Sequence, residues 1–285
     1  MIKKRNVLFF VSILMLGSMV FKSCTPEYYA VKKFRESTQV SVLFIPNQVV
    51  FKTNSTIQNL YPKFTELPQE MQDTIWNLNT QLLEKIPDSS IVKTFYAGFL
   101  NLLKESDLRV YDPENMVGFN TNDTNAYILK IAQMEMDEMK QMIPYSEPID
   151  SETELYKEVE INSLTLNVWF ELTRAINDTA KPVVLFASYI ISDEVVGHFY
   201  NALSGYEFRF KRDDIDTTHI LPMSAFAGEM MAQYFYNHML NMYTAYYRNL
   251  SDYQFRYVGN YILKGQAYSF YYPTENERFT IIEKE

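Results

Sequence analysis

The sequence predicts an α/β or α+β fold: a mixed sheet of about five or six strands with an antiparallel meander, packed by amphipathic helices and by one long helix in the last third of the chain. Three observations carry this. Residues 40–45 (Val-Ser-Val-Leu-Phe-Ile) form a compact β-branched and apolar run. Leu164, Leu166, Val168, Phe170 and Leu172 alternate strictly with Ser163, Thr165, Asn167, Trp169 and Glu171. Residues 223–249 are dominated by Ala, Met, Tyr and Phe at helical length.

The first run lacks strict alternation and ends at Pro46-Asn47, as a strand covered on both faces does. Next, Pro68 opens a helix whose apolar stripe is Leu67, Met71, Ile75, Leu78, Leu82 and Ile86, about five turns at steps of three and four. Asp88-Ser89-Ser90 supplies cap chemistry for a second helix with Ile91, Phe95, Phe99, Leu102 and Leu103 on its buried side. A short strand, Leu108-Arg109-Val110-Tyr111, stops at Asp112-Pro113.

The period then changes. Residues 127–136 read as a strand, residues 144–158 as an acidic, Pro-containing connection, and residues 163–172 as a half-buried strand of period two. Residues 183–191 follow as a nearly continuous apolar strand, reached through Asn177-Asp178, so that consecutive strands form an antiparallel meander. Ser192-Asp193 can cap a short helix through Tyr200, and residues 209–216 read as a charged loop. The long helix is apolar on most of its girth, yet Glu229, Gln233, Asn237, His238 and Asn241 exclude it as a membrane span. The end of the chain alternates at Tyr253, Phe255 and Tyr257 and returns at residues 268–272, the pattern of a β-hairpin.

The opening residues address the chain. Lys3, Lys4 and Arg5 precede an apolar stretch at residues 7–21, which stops at Lys22-Ser23-Cys24. The stretch is short of the roughly 20 residues that a ~30 Å hydrocarbon core demands. Cys24 is the sole cysteine. This opening resembles a bacterial lipoprotein signal with a relaxed recognition box, of the kind found in Bacteroidetes. The resemblance implies cleavage before Cys24, diacylglycerol on its thiol, a signal peptide over residues 1–23, a lipidated tether over 24–38 and a single globular domain over 39–285, with an aromatic β tail from about residue 251. Ser23 fits the usual box, Phe21 replaces its Leu, and Lys22 departs from it. The globular part is similar, through Ser41-Val42-Leu43-Phe44-Ile45-Pro46, Leu108-Arg109-Val110-Tyr111-Asp112 and the strands at 127–136 and 161–173, to the periplasmic α/β domain of envelope lipoproteins such as the curli secretion channel and the penicillin-binding-protein activator. A shared fold does not carry function.

Composition limits the partners. Loss of the signal removes four cations and takes the formal charge from −9 to −13, with 22 basic residues against 35 acidic. Such a surface disfavours nucleic acid, which requires clustered Lys and Arg, and leaves membrane attachment to the acyl chains. His198, His219 and His238 are too far apart in sequence for a metal motif, and no cofactor is expected. Glu194 and His198 stand four apart, an acid–base pair in principle and a local helix ion pair more simply. No GxSxG elbow occurs, and eight glycines leave no room for phosphate-cradling loops.

What remains is aromatic surface. The chain has 22 Tyr and 20 Phe, and Trp169 falls on the polar side of the cleanest strand. Tyr and Trp present an apolar body with a hydrogen-bonding tip, suited to a partner groove or a sugar face. The expectation is a non-enzymatic, lipid-anchored envelope protein that works by contact with an envelope partner, facing the periplasm from the outer membrane. The alternative is a glycan-binding accessory lipoprotein that uses Trp169, Tyr253, Phe255 and Tyr257.

Overall fold

The computed structural model describes residues 26–37, 39–149, 153–176, 181–203, 205–247, 258–259, 270–271 and 278–282. Among these, a seven-stranded mixed sheet forms from β1 (Ser41–Ile45), β2 (Phe51–Asn54), β3 (Arg109–Tyr111), β4 (Ala126–Pro148), β5 (Glu154–Arg174), β6 (Val183–Ser192) and β11 (Thr280–Ile282). Its order is β11-β6-β5-β4-β1-β3, with β2 also on β4. β4, β5 and β6 make the antiparallel meander, while β1 and β2 lie parallel to β4 in succession along its other edge. Two further pairs stand apart from this sheet: β7 (Glu194–Ala202) with β8 (Gly205–Asp213), and β9 (Val258–Gly259) with β10 (Phe270–Tyr271).

Five helices are described: α1 (Pro26–Ser37), α2 (Ser55–Leu60), α3 (Gln69–Asn79), α4 (Asp88–Lys104) and α5 (Thr217–Tyr247). Helices α4 and α5 pack on one face of the sheet. Phe99 of α4 stacks on Phe44 of β1 at 4.4 Å and on Phe170 of β5 at 5.6 Å. Val42, Leu129, Met134, Leu166, Val168 and Leu185 complete the sheet's buried side. Phe279, just before β11, closes the core against Phe170 and Tyr234.

Five sequence expectations are corrected. The segment read as a tether is α1, with Ala30, Val31 and Phe34 buried, so the folded unit reaches upstream of residue 39. Arg35 ties α1 to the loop after α4 through Asp107 at 2.5 Å.

The five-turn helix from Pro68 ends at Asn79. It stops because Glu138, reaching from β4, accepts the backbone N–H groups of Gln81, Leu82 and Leu83 at 2.8, 3.1 and 3.3 Å. A carboxylate satisfying three amides stabilises a new turn start more than continued helix would. Leu78 is left 75% exposed as a result.

In the acidic connection, residues 144–148 and 154–158 are the far end of a β-ribbon, since β4 runs 23 residues and β5 runs 21. Typical strands have about 5 or 6 residues, and at ~3.3 Å per residue β4 is roughly 75 Å long. The short helix at 192–200 is β7, and the charged loop at 209–216 is mostly β8.

Candidate interaction surface

The sheet has a second face, opposite the helices. On it Trp169 stands in register with Gln133 of β4 and Phe186 of β6. Its ring lies 4.8 Å from that of Phe186, tilted by 42°, and is half-buried. Beside it Asn167 donates to Glu135 at 3.3 Å. Trp169 and Phe186 thus form an aromatic pair on this face, where the alternation of β5 and β6 places them. Cys24, Tyr253, Phe255 and Tyr257 lie outside the described residues.

Beyond Glu138 and Leu164 the helical layer ends, and the β4–β5 ribbon continues without it. On the helix side its residues become Met142, Pro144, Ser146 and Pro148 opposite Glu160, Glu158, Tyr156 and Glu154, and all of them are exposed. On the other side Ile143, Tyr145, Val159 and Ile161 are apolar, and the β7–β8 hairpin covers them. The Tyr145 hydroxyl donates to the Val195 carbonyl at 2.9 Å, and the ring meets Phe208 at 5.2 Å. Gly197 makes this packing fit, because a Cβ there would overlap the Phe208 ring.

Asp193 is the joint of this arm. Its carboxylate is fully buried and accepts from the Asn162 backbone N–H (2.7 Å), the Asn162 amide (3.0 Å), Arg212 Nη2 (2.6 Å) and the Ile215 N–H (2.9 Å). One side chain therefore fixes where the chain leaves β6, where β8 ends and how both meet β5. The arm's surface is aromatic and charged. The Arg209 guanidinium covers the Tyr200 ring at 3.8 Å, and Tyr200 donates to Glu207, which raises the tyrosine pKa. Tyr156 is 61% exposed and donates to Glu158 at 2.7 Å, with the same upward effect.

Of the three histidines, His198 lies on β7, and His219 and His238 lie on α5. His198 pairs with Arg209 across the hairpin, so Glu194 and His198 share a strand and not a helix. His219 sits in the first turn of α5, with Nδ1 3.0 Å from Asp216. His238 is buried in the middle of α5, and burial pushes its pKa down to about 4. Among the described residues, no group of three or more His, Cys, Asp or Glu side chains could hold a metal ion. A cavity of about 370 Å³ lies between α1, the end of α5 and the sheet, lined by Phe34, Val40, Tyr127, Arg174, Met239 and Tyr243. Arg174 lies over the Tyr127 ring there at 5.9 Å. Among the described residues no helix is long and apolar enough to cross a membrane.

No protein-family model and no curated protein sequence matches this chain. Among solved structures, it is similar to the crystal structure of a putative neuraminyllactose-binding hemagglutinin homolog from Helicobacter pylori. That similarity has 9% identity and a TM-score of 0.31, and covers 75% of this chain and 92% of the other. At that level it carries no functional weight.

The sequence reading missed the arm altogether. Its signal was present as alternation on both sides of residue 150: Gln141, Ile143, Tyr145 and Glu147 answer Leu155, Lys157, Val159 and Ile161.

Proposed function

We propose that this is a lipid-anchored envelope protein, attached through acyl chains on Cys24, that acts without catalysis by binding an envelope protein, and that it faces the periplasm from the outer membrane. The observation that carries the binding part is the arm. Two long strands and a second hairpin extend past the helical layer, and they expose Met142, Tyr156, Val196, Tyr206 and Phe210. Ordering that much chain costs conformational entropy that the hydrophobic core does not offset, as expected of a surface kept for contacts.

The test is site-specific photocrosslinking in a lipoprotein-competent host, with the crosslinker at Tyr156 or Phe210 and a control at Leu78 on α3. Adducts of one discrete mass from the arm positions only, in a membrane fraction that the Cys24→Ser variant leaves, support the reading. Equal labelling from all three positions, or an unmodified Cys24 thiol, overturns it.

A second reading rests on the Trp169–Phe186 pair, whose tilted rings, with the Asn167–Glu135 hydrogen bond beside them, are suited to a sugar. Glycan titration followed by fluorescence in a Trp76→Phe background isolates Trp169. A saturable change that Phe186→Ala abolishes favours this reading, and a flat response removes it.

A further inference from the structure

The two edges of the ribbon are not equivalent. In an antiparallel ladder alternate residues direct their N–H and C=O groups away from the partner strand. On β4 the outward set is fixed by Lys140, whose N–H donates to Thr56 Oγ1 at 2.7 Å, so Met142, Pro144, Ser146 and Pro148 also face outward. Two of these are prolines and offer no N–H. On β5 the outward set is fixed by Asn162, whose N–H donates to Asp193, and by Glu160, whose carbonyl accepts from Arg212 at 2.9 Å. Glu154, Tyr156 and Glu158 continue this set. Among the described residues no hydrogen bond reaches their outward backbone groups. Asp193 turns the chain away here, sending β7 over the ribbon's face and leaving this edge bare.

We propose that the β5 edge at Glu154–Glu158 receives an extended segment of a partner polypeptide carrying Lys or Arg at alternate positions. This deepens the interaction reading above and rests on it. An open strand edge is a template for strand addition, with main-chain bonds giving affinity and alternate side chains giving specificity. The exposed side chains alternating along this edge are Glu154, Tyr156 and Glu158, and neither glutamate has a cationic partner among the described residues; Glu160, by contrast, is already paired with Lys140 at 3.3 Å. A second copy is a poor occupant. Two β5 edges related by a two-fold axis through Tyr156 set Glu154 opposite Glu158 twice, and like charges directly opposed destabilise the pair. Pairing of β5 with the β4 edge of another copy meets Pro144 and Pro148. Both modes of self-association are blocked, while a basic strand meets neither obstacle.

The experiment uses the full chain in detergent and two short labelled peptides, one alternating lysine with valine and one alternating glutamate with valine. The lysine peptide is expected to bind at least about ten-fold more tightly, and to slow amide exchange at Tyr156 and Glu158. Tyr156→Pro removes one outward donor while leaving the bonds to β4 intact, and is expected to abolish binding. Glu154→Lys with Glu158→Lys is expected to reverse the peptide preference, and serves if the proline variant does not fold. Equal affinity for both peptides, no binding of either, or protection elsewhere with Tyr156→Pro still binding overturns the proposal. Arm-specific crosslinks in the envelope together with such a result would leave the interaction reading standing and remove only this edge.

Discussion

Gly98 on α4 and Gly228 on α5 sit at one crossing, each against the other helix's backbone. A Cβ on Gly98 would overlap the Ala225 carbonyl oxygen, and one on Gly228 would overlap the Phe95 carbonyl and lie 2.9 Å from the Phe99 nitrogen. The close approach is what lets Phe95, Phe99 and Phe235 reach the same core. Overpacking a buried contact costs about 1–3 kcal/mol. Gly98→Ala and Gly228→Ala are each expected to lower the unfolding free energy measured in urea by that much, and the double variant by less than the sum, because one separation of the helices relieves both. Additive losses would show that the two glycines do not share a contact.

Asp193 should control the arm separately from the core. Replacing it with Asn removes the charge that Arg212 and two backbone amides hold, and because Arg212 is 30% exposed and keeps Asp214, the cost is expected below the roughly 3–5 kcal/mol of a fully buried pair. The loss is expected to appear first as faster amide exchange and protease cleavage within residues 194–213, with exchange in α4 and α5 slower to respond. Uniform acceleration across the chain would show that the arm and the core unfold as one unit.

What could be read from the sequence follows from how local each signal is. The strands at 41–45, 109–111, 163–172 and 183–191 and the helices α4 and α5 carry their own periodicity, and they stand where it put them. The extension of α3 failed because its stop is not in its own sequence: Glu138 is some 55 residues downstream. The far ribbon was missed because Pro144, Pro148 and the glutamates read as turn chemistry, although prolines on an unpaired edge disturb no ladder bond. β7 mimicked a helix because Glu194 and His198, and likewise Val195 and Phe199, are four apart; the true period is two, with Gly197 beneath Phe208 as its tertiary reason. Of the candidate surface residues named from the sequence, Trp169 is the one among the described residues, and the arm carried no such local signal because it is made by register between distant strands.

The helical state of residues 26–37 makes a further prediction. The side chains of Arg35 and Asp107 are 7% and 12% exposed, so Asp107→Ala takes a close carboxylate from a nearly buried guanidinium and is expected to cost up to about 3 kcal/mol. Arg35→Met with Asp107→Leu should recover much of that loss, because apolar groups of similar volume need no partner. A chain starting at residue 39 is expected to bind a hydrophobic dye, having lost Val31 and Phe34 from the core. Unchanged dye binding and an unaffected Asp107→Ala variant would return this segment to the role of a tether.

His238 gives the fold a specific acid sensitivity. Its pKa is lowered to about 4 by desolvation in the middle of α5, against an ordinary value of 6.5 in the unfolded chain. Between those values the unfolded state takes up a proton that the folded state refuses, so acid favours unfolding there. The associated stability is fully present above pH 6.5, declines as pH falls, and has been lost once pH passes below 4. At about 1.4 kcal/mol per pKa unit the total is of the order of 3 kcal/mol. His238→Gln, which does not titrate, is expected to flatten that part of the stability curve while the carboxylate contribution remains. In urea titrations across this window the stability of the wild type relative to the variant should therefore fall as pH drops toward 4, whatever the substitution costs near neutrality, and a constant difference would mean that His238 takes up its proton equally readily in the folded and unfolded chains.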